Sequence, residues 1–251
     1  AYSDRHMIQG RWAQLTKPMP IHIEQGRSQC QSRDLCMRGC MFGGYFSSNS
    51  STLPWAAKTG NLTIRPDSVV HSIIYDTALQ QATGVKIIDA HTHEEIEFHA
   101  NIIFLNASTL NSNLILLNST SSRFPNGLGN DNGLLGHYIC FHNYRGSLGG
   151  SIEGHEDVYY YGRKPAESMM ANFRNFKKHE MDFVGGYMAF MGAYRTRGND
   201  DASIDHIGVE LKNIMSEAGP WGMYMYIQGE TVPKYENHVK LSQTQKDQWG
   251  I

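Results

Sequence analysis

Between residues 61 and 106 apolar positions recur with the two-residue period of strands. Leu62 and Ile64 alternate with polar neighbours. Val69, Val70, Ile73, Ile74 and Tyr75 make a longer β-type run; after a turn at 76–84 come Val85, Ile87 and Ile88, and then Ile96 and Phe98. Short strands with tight links predict a β-meander. Asn101-Ile102-Ile103-Phe104-Leu105-Asn106 breaks the alternation. Four apolar residues in succession predict a strand covered on both faces, as in the parallel sheet of an α/β domain. The small residues Ala107, Ser108 and Thr109 follow, and Leu110, Leu114 and Leu117 then fall at helical spacing. At such a bend main chain can approach a ligand closely, and the N–H groups and dipole of the helix start favour a phosphate. Every βα unit has such a bend, so plain packing stands as the other reading.

The flanks differ in character. Residues 1–60 read as loop, with Ser/Asn capping material at 47–51 leading into a short helix that stops at Gly60. Residues 124–133 (Phe-Pro-Asn-Gly-Leu-Gly-Asn-Asp-Asn-Gly) form a linker by composition, and a second domain is expected over 123–251. Its aromatic, Gly-punctuated runs at 158–161, 183–194, 221–228 and 238–241 predict an antiparallel sheet. Tyr159 and Tyr161, like Tyr224 and Tyr226, are spaced to share one strand face. Core packing is the ordinary role of such a face; a stacking platform for a ring-shaped substrate is the alternative.

Composition narrows the function classes. The 251 residues carry 22 Lys+Arg against 24 Asp+Glu, with no basic stripe, which argues against nucleic acid. The longest apolar runs are far too short to span a membrane. Hydrophobic residues at 40% and charged ones at 18% argue against disorder, and 25 glycines with 11% aromatics favour a β-rich fold. The chain opens on Ala1-Tyr2-Ser3 without initiator Met or signal-peptide profile and ends at Trp249-Gly250-Ile251, which suits either a trimmed domain or an internal piece of a longer protein.

Chemistry-bearing motifs are few. No G-x-G-x-x-G follows a strand, and neither a P-loop nor G-x-S-x-G occurs. His91 and His93 could offer two ligands to a metal, but turn histidines are ordinarily solvated; His137 and His142 have no ligand spacing. Sequons at Asn49, Asn61, Asn106 and Asn118 are discounted, Asn61 and Asn106 because they sit in predicted strands. Cys30, Cys36 and Cys40 cluster in a Gly- and Arg-containing loop, with Cys140 apart. That spacing suits structural thiols or iron–sulfur ligation and does not match zinc pairings. From residues alone the chain is a two-domain α/β-plus-β protein with one candidate phosphate-contacting bend.

Three stretches together resemble the glucose–methanol–choline (GMC) family of flavin-dependent oxidoreductases, in its bacterial sugar- and polyol-dehydrogenase branch. The first is Cys36-Met37-Arg38-Gly39-Cys40-Met41-Phe42-Gly43-Gly44-Tyr45 leading to Thr59-Gly60-Asn61-Leu62-Thr63. The second runs from Ile102 through Ala107-Ser108-Thr109-Leu110-Asn111-Ser112 to Leu114-Ile115-Leu116-Leu117-Asn118-Ser119. The third joins Gly229-Glu230, Pro233, Glu236-Asn237-His238-Val239-Lys240-Leu241 and Asp247-Gln248-Trp249-Gly250. Asn113 stands where the family signature has Pro, Ser108 where Gly is usual, and Phe141-His142 where Asp-His is common.

The resemblance implies a partial FAD-binding, Rossmann-like domain with a β-meander over 1–122 and an antiparallel-sheet substrate domain over 123–251. It implies hydride transfer from a CH–OH carbon of a sugar, glycoside or polyol to flavin, with the catalytic base outside this chain. Val70 would offer main-chain hydrogen bonds to the adenine, Asn106, Ala107 and Ser108 would lie against the adenosine or pyrophosphate, and Gly43 and Gly44 would pass near the flavin. Cys30, Cys36 and Cys40 match part of an iron–sulfur pattern, with Gln31 where a further Cys is expected. An electron-transfer partner subunit is implied as well. The rival reading is a non-catalytic carbohydrate-binding module.

Overall fold

The structure is a computed structural model that describes residues 6–33, 36–155, 157–158, 167–172, 174–175, 178–179, 181–183, 185–197 and 206–251. The chain divides into two units that interleave: residues 1–62 with 142–231, and residues 63–141 with 232–251. The boundary expected at 122/123 therefore falls inside the second unit.

That second unit is built on two acidic turns. Strand β2 (Ser68–Asp76) ends in Asp76, whose Oδ1 accepts the N–H groups of Ala78 and Leu79 at 2.8 and 2.9 Å and reverses the chain into β3 (Gln81–Asp89). Asp89 repeats the device with the N–H groups of His91 and Thr92, both at 3.0 Å, and β4 (Glu95–His99) follows. Those N–H groups, Thr92 before His91, and then the Arg65 guanidinium hold the Asp89 carboxyl well below the usual carboxylate range. The strands form an antiparallel sheet in the order β2-β3-β4, and the predicted meander is present.

Helix α3 (Ser108–Asn118) packs on β2, and Ile73, Ile87, Ile88 and Ile115 are buried residues of this unit. Ser119 fastens the two elements. Its hydroxyl donates to the Ile115 carbonyl at 2.6 Å and accepts the Ile73 N–H at 2.8 Å, at a site only 3% exposed. Ser119→Ala leaves a buried N–H unpaired and is expected to cost about 1–3 kcal/mol, read as a lower urea midpoint at unchanged slope.

The first unit carries a five-stranded antiparallel sheet in the order β1-β6-β7-β8-β5. Its strands are β1 (Ile8–Gln9), β5 (His142–Ile152), β6 (Ser168–Ala171), β7 (Tyr187–Arg197) and β8 (Ala218–Glu230); α4 (Gly208–Ser216) lies between β7 and β8 in the chain. Short helices α1 (Pro20–Glu24) and α2 (Thr52–Ala57) belong to the loop-rich start. The antiparallel sheet was expected over 183–194 and 221–228, where it occurs. β5 was not, because its Gly146, Gly149 and Gly150 have poor strand propensity; pairing along β8 overrides it.

Three strand expectations are corrected. Residues 102–105 form no strand: Ile102 is 71% and Phe104 81% exposed, and both sheets of the described residues are wholly antiparallel. A continuous apolar run signals surface to be covered, but a strand also needs a neighbouring main chain to pair with. Leu62 and Ile64, and likewise 238–241, lie outside regular structure, so Asn61 and Asn106 are not strand residues. Tyr159 and Tyr161 lie outside the described residues.

Candidate functional site

Ser108 is the first residue of α3 and sits at φ +61°, a left-handed conformation that an L-residue ordinarily avoids. Ala107 precedes it at the N-cap and has no side-chain oxygen, so no side chain caps this helix. The first-turn N–H groups of a helix lack intrahelical partners, and here they start from a backbone bend flanked by small side chains. Such a start can receive an anion without displacing any capping group. Asn106 lies directly before it in irregular chain, beyond the unpaired 102–105 segment.

Val70 lies in β2, the edge strand against which α3 packs, immediately before a bulge that interrupts the β2–β3 register at His71. An edge strand keeps one side of its main chain unpaired within the sheet, which suits a backbone contact to a flat heterocycle. The expected adenosine and pyrophosphate residues thus belong to one unit, on two packed elements and the chain leading into α3. Gly43 and Gly44 belong to the other unit.

There the cysteine loop has its own logic. The Leu15 N–H reaches the Gly44 carbonyl at 2.6 Å, the Cys30 N–H the Leu15 carbonyl at 2.9 Å, and the Ser28 N–H the Phe42 carbonyl at 2.9 Å. A Cβ at Gly43 would press on Arg27 (Cγ 3.1 Å), and one at Gly44 on Cys30 (Cα 3.1 Å). Close packing against residues 27–30 therefore already accounts for both glycines. Arg27, 7% exposed, donates from Nε to the Gly43 carbonyl at 2.9 Å and lies over the Phe46 ring at 5.4 Å.

The cysteines do not assemble a metal site. Among the described residues no three His, Cys, Asp or Glu side chains gather to hold an ion, and all four cysteines are free thiols. The Cys36 sulfur accepts from Gln14 Nε2 at 3.8 Å. Burial pushes the Cys40 thiol up, but the N–H groups of Tyr45, Phe42 and Gly44, with the Arg27 charge, prevail and hold it below its ordinary value. The iron–sulfur expectation for Cys30, Cys36 and Cys40 thus finds no support here. His91 is also exposed, with Nε2 3.5 Å from Asp67. His137 stacks with Tyr235 (4.1 Å) and with His238 (5.1 Å).

The sheet of the first unit holds a group that the sequence did not single out. The Tyr224 hydroxyl donates to Glu167 Oε1 at 3.2 Å, and the Tyr226 hydroxyl reaches both Glu167 oxygens at 3.1 and 3.0 Å. The two tyrosines were legible as a strand-face pair. Glu167 had no signal, since nothing local ties it to a strand more than fifty residues on. No helix among the described residues is long and apolar enough to cross a membrane.

A comparison with known proteins bears on these features together. The chain is 26% identical over 234 residues to the fructose dehydrogenase large subunit of Gluconobacter japonicus, covering 90% of this chain and 40% of that protein. It is 25% identical over 191 residues to 2-methyl-1,2-propanediol dehydrogenase of Mycolicibacterium austroafricanum, covering 68% of this chain and 32% of that protein. The chain therefore spans well under half the length of these curated relatives. The profile of the GMC oxidoreductases matches residues 16–142, which include the cysteine loop, the meander and the whole of α3. On that match, over half of its length, the chain belongs to the GMC oxidoreductase family.

Proposed function

We propose that this chain is part of an FAD-dependent oxidoreductase acting on CH–OH groups of a sugar, glycoside or polyol. The observation that carries this reading is the uncapped, left-handed helix start at Ala107–Ser108 within the family match. When bound, FAD supplies the hydride acceptor for oxidation of an alcohol carbon. The residues of this chain hold and orient it. Ala107 and Ser108 present first-turn N–H groups to the pyrophosphate, Asn106 borders the adenosine, and Val70 offers main chain to the adenine. The donor set fits the group: unpaired N–H groups with a positive dipole end for an anion, and a strand edge for the base.

In this reading residues 63–141 with 232–251 belong to the nucleotide-holding part, and the five-stranded sheet belongs to the substrate part. Gly43 and Gly44 are assigned to the flavin side of the loop. The relation to a protein named as a large subunit supports an electron-transfer partner. The catalytic base is assigned to no residue of this chain.

The test is a visible spectrum and a dye-coupled assay of the full-length gene product. Flavin absorption that bleaches on adding a sugar or polyol is the expected result. A colourless protein that still binds carbohydrate would instead make it a non-catalytic binding module.

A further inference from the structure

Antiparallel strands place directly paired residues on one face, so the register defines what each face of the large sheet carries. Phe190 pairs with Tyr226, Gly192 with Tyr224, and Tyr194 with Gly222. On the other flank Ser147 pairs with Tyr226, Gly149 with Tyr224, and Ser151 with Gly222. One face therefore bears a row of rings bordered along β5 by small, exposed residues.

Two of the rings lie over glycine main chain. Tyr224 covers Gly192 and Tyr194 covers Gly222, closely enough that a Cβ at either glycine would overlap the ring. Neighbouring centroids are 6.3 Å apart for Tyr194–Tyr224, 6.3 Å for Tyr224–Tyr226 and 5.3 Å for Tyr226–Phe190. The last two pairs are within 13° of parallel. Tyr194 is 48% exposed and the others are half-buried.

Glu167 faces this row. Among the described residues its carboxylate meets no cation, only the two phenols. Two donated protons leave part of its acceptor capacity free, since a carboxylate offers about four lone-pair sites. Tyr224 stays a donor, because burial and then the Glu167 charge push its phenol up. A carboxylate with spare lone pairs beside parallel ring faces and a small-residue border is complementary to a ring with apolar C–H faces and hydroxyls at its rim.

We propose that the face formed by Tyr194, Tyr224, Tyr226 and Phe190, with Glu167 as hydroxyl acceptor, is the specificity-determining wall for a hexose-class substrate. The inference rests on the oxidoreductase reading and deepens it. A pyranose or furanose ring is about as wide as one aromatic ring of the row and can stack while donating to Glu167. A small branched diol has no flat face to stack and gains little from the row.

The experiment uses the full-length flavin-loaded protein with D-fructose, D-glucose, D-galactose and 2-methyl-1,2-propanediol as probes. It reads calorimetric binding and steady-state kinetics for wild type, Glu167→Gln and Tyr194→Ala, with flavin content measured throughout. The expected result is a rise of about tenfold in KM and Kd for the preferred hexose in either variant, with kcat within about twofold and flavin content and diol kinetics unchanged. Unchanged hexose KM and Kd in both flavin-containing variants overturn the proposal, as does a wild type that binds the diol but no hexose. A wild type without flavin would instead defeat the oxidoreductase reading, and hexose calorimetry on that protein would still decide this one. Tyr194→Ala removes a half-exposed ring and leaves Glu167 in place, so a folding defect in Glu167→Gln leaves the test intact.

Discussion

Ser108→Asp is expected to strip the protein of flavin while leaving its fold unharmed. Aspartate at the first position of a helix is favourable by itself, because its charge opposes the positive end of the helix dipole, and Asp tolerates the left-handed conformation seen at this position. A merely structural bend would therefore accept the change. A pyrophosphate seated on the same N–H groups would meet a like charge at about 5 Å, worth roughly 3 kcal/mol at an effective dielectric constant of 20, or about a hundredfold in affinity. The measurement is the flavin-to-protein absorbance ratio after gel filtration, with circular dichroism and the urea midpoint as fold controls. Ser108→Gly, which relieves the positive φ without adding charge, should keep its flavin. Stoichiometric flavin in Ser108→Asp would move the pyrophosphate away from this helix start.

Gly136→Ala should be the most damaging single methyl in the second unit. Gly136 sits at φ +88°, and a Cβ there would lie 2.4 Å from the carbonyl oxygen of Val239. Val239 belongs to a short ladder by which residues 136–139 receive the returning chain: the Val239 N–H donates to the Gly136 carbonyl and the Ile139 N–H to the Asn237 carbonyl, each at 2.9 Å. His137 reinforces it, donating from Nδ1 to the Tyr235 carbonyl at 2.8 Å. The ladder ties residues 232–251 to residues 63–141. Left-handed strain of about 1–2 kcal/mol and a backbone overlap of about 1–3 kcal/mol together predict a loss of roughly 2–5 kcal/mol, read as a fall in the urea midpoint. A midpoint within experimental error of wild type would show that the returning segment is not held there.

The place of residues 136–139 in the fold was not evident from the chain. The Gly-rich stretch around Gly127 and Gly133 read as a linker dividing two consecutive domains. The structure instead divides the chain into two interleaved units. Composition reports what a segment can tolerate, and a glycine that ends a domain looks the same as one that lets two distant segments touch. The iron–sulfur expectation finds no support for a related reason. Three cysteines within eleven positions satisfy a spacing, but ligation requires their sulfurs to converge, and here Cys36 and Cys40 are turned to Gln14 and to main-chain N–H groups.

Local chemistry sufficed wherever each device is completed by its near neighbours. The acidic turns at Asp76 and Asp89, the meander they connect, the leucine-spaced helix α3 and its small-residue entry are all of this kind, as is the alternation that put Tyr224 and Tyr226 on one face. The family motifs are contiguous too, which is why the relationship could be read without coordinates. Long-range pairing was decided only in three dimensions. β5 is a strand because β8 lies beside it, Glu167 faces two tyrosines because strands bring them across more than fifty residues, and residues 102–105 remain unpaired because an apolar run specifies burial without specifying a partner. Side-chain period is a property of one segment, whereas a hydrogen-bond ladder or a converging carboxylate depends on two, and their pairing is written in no stretch of either.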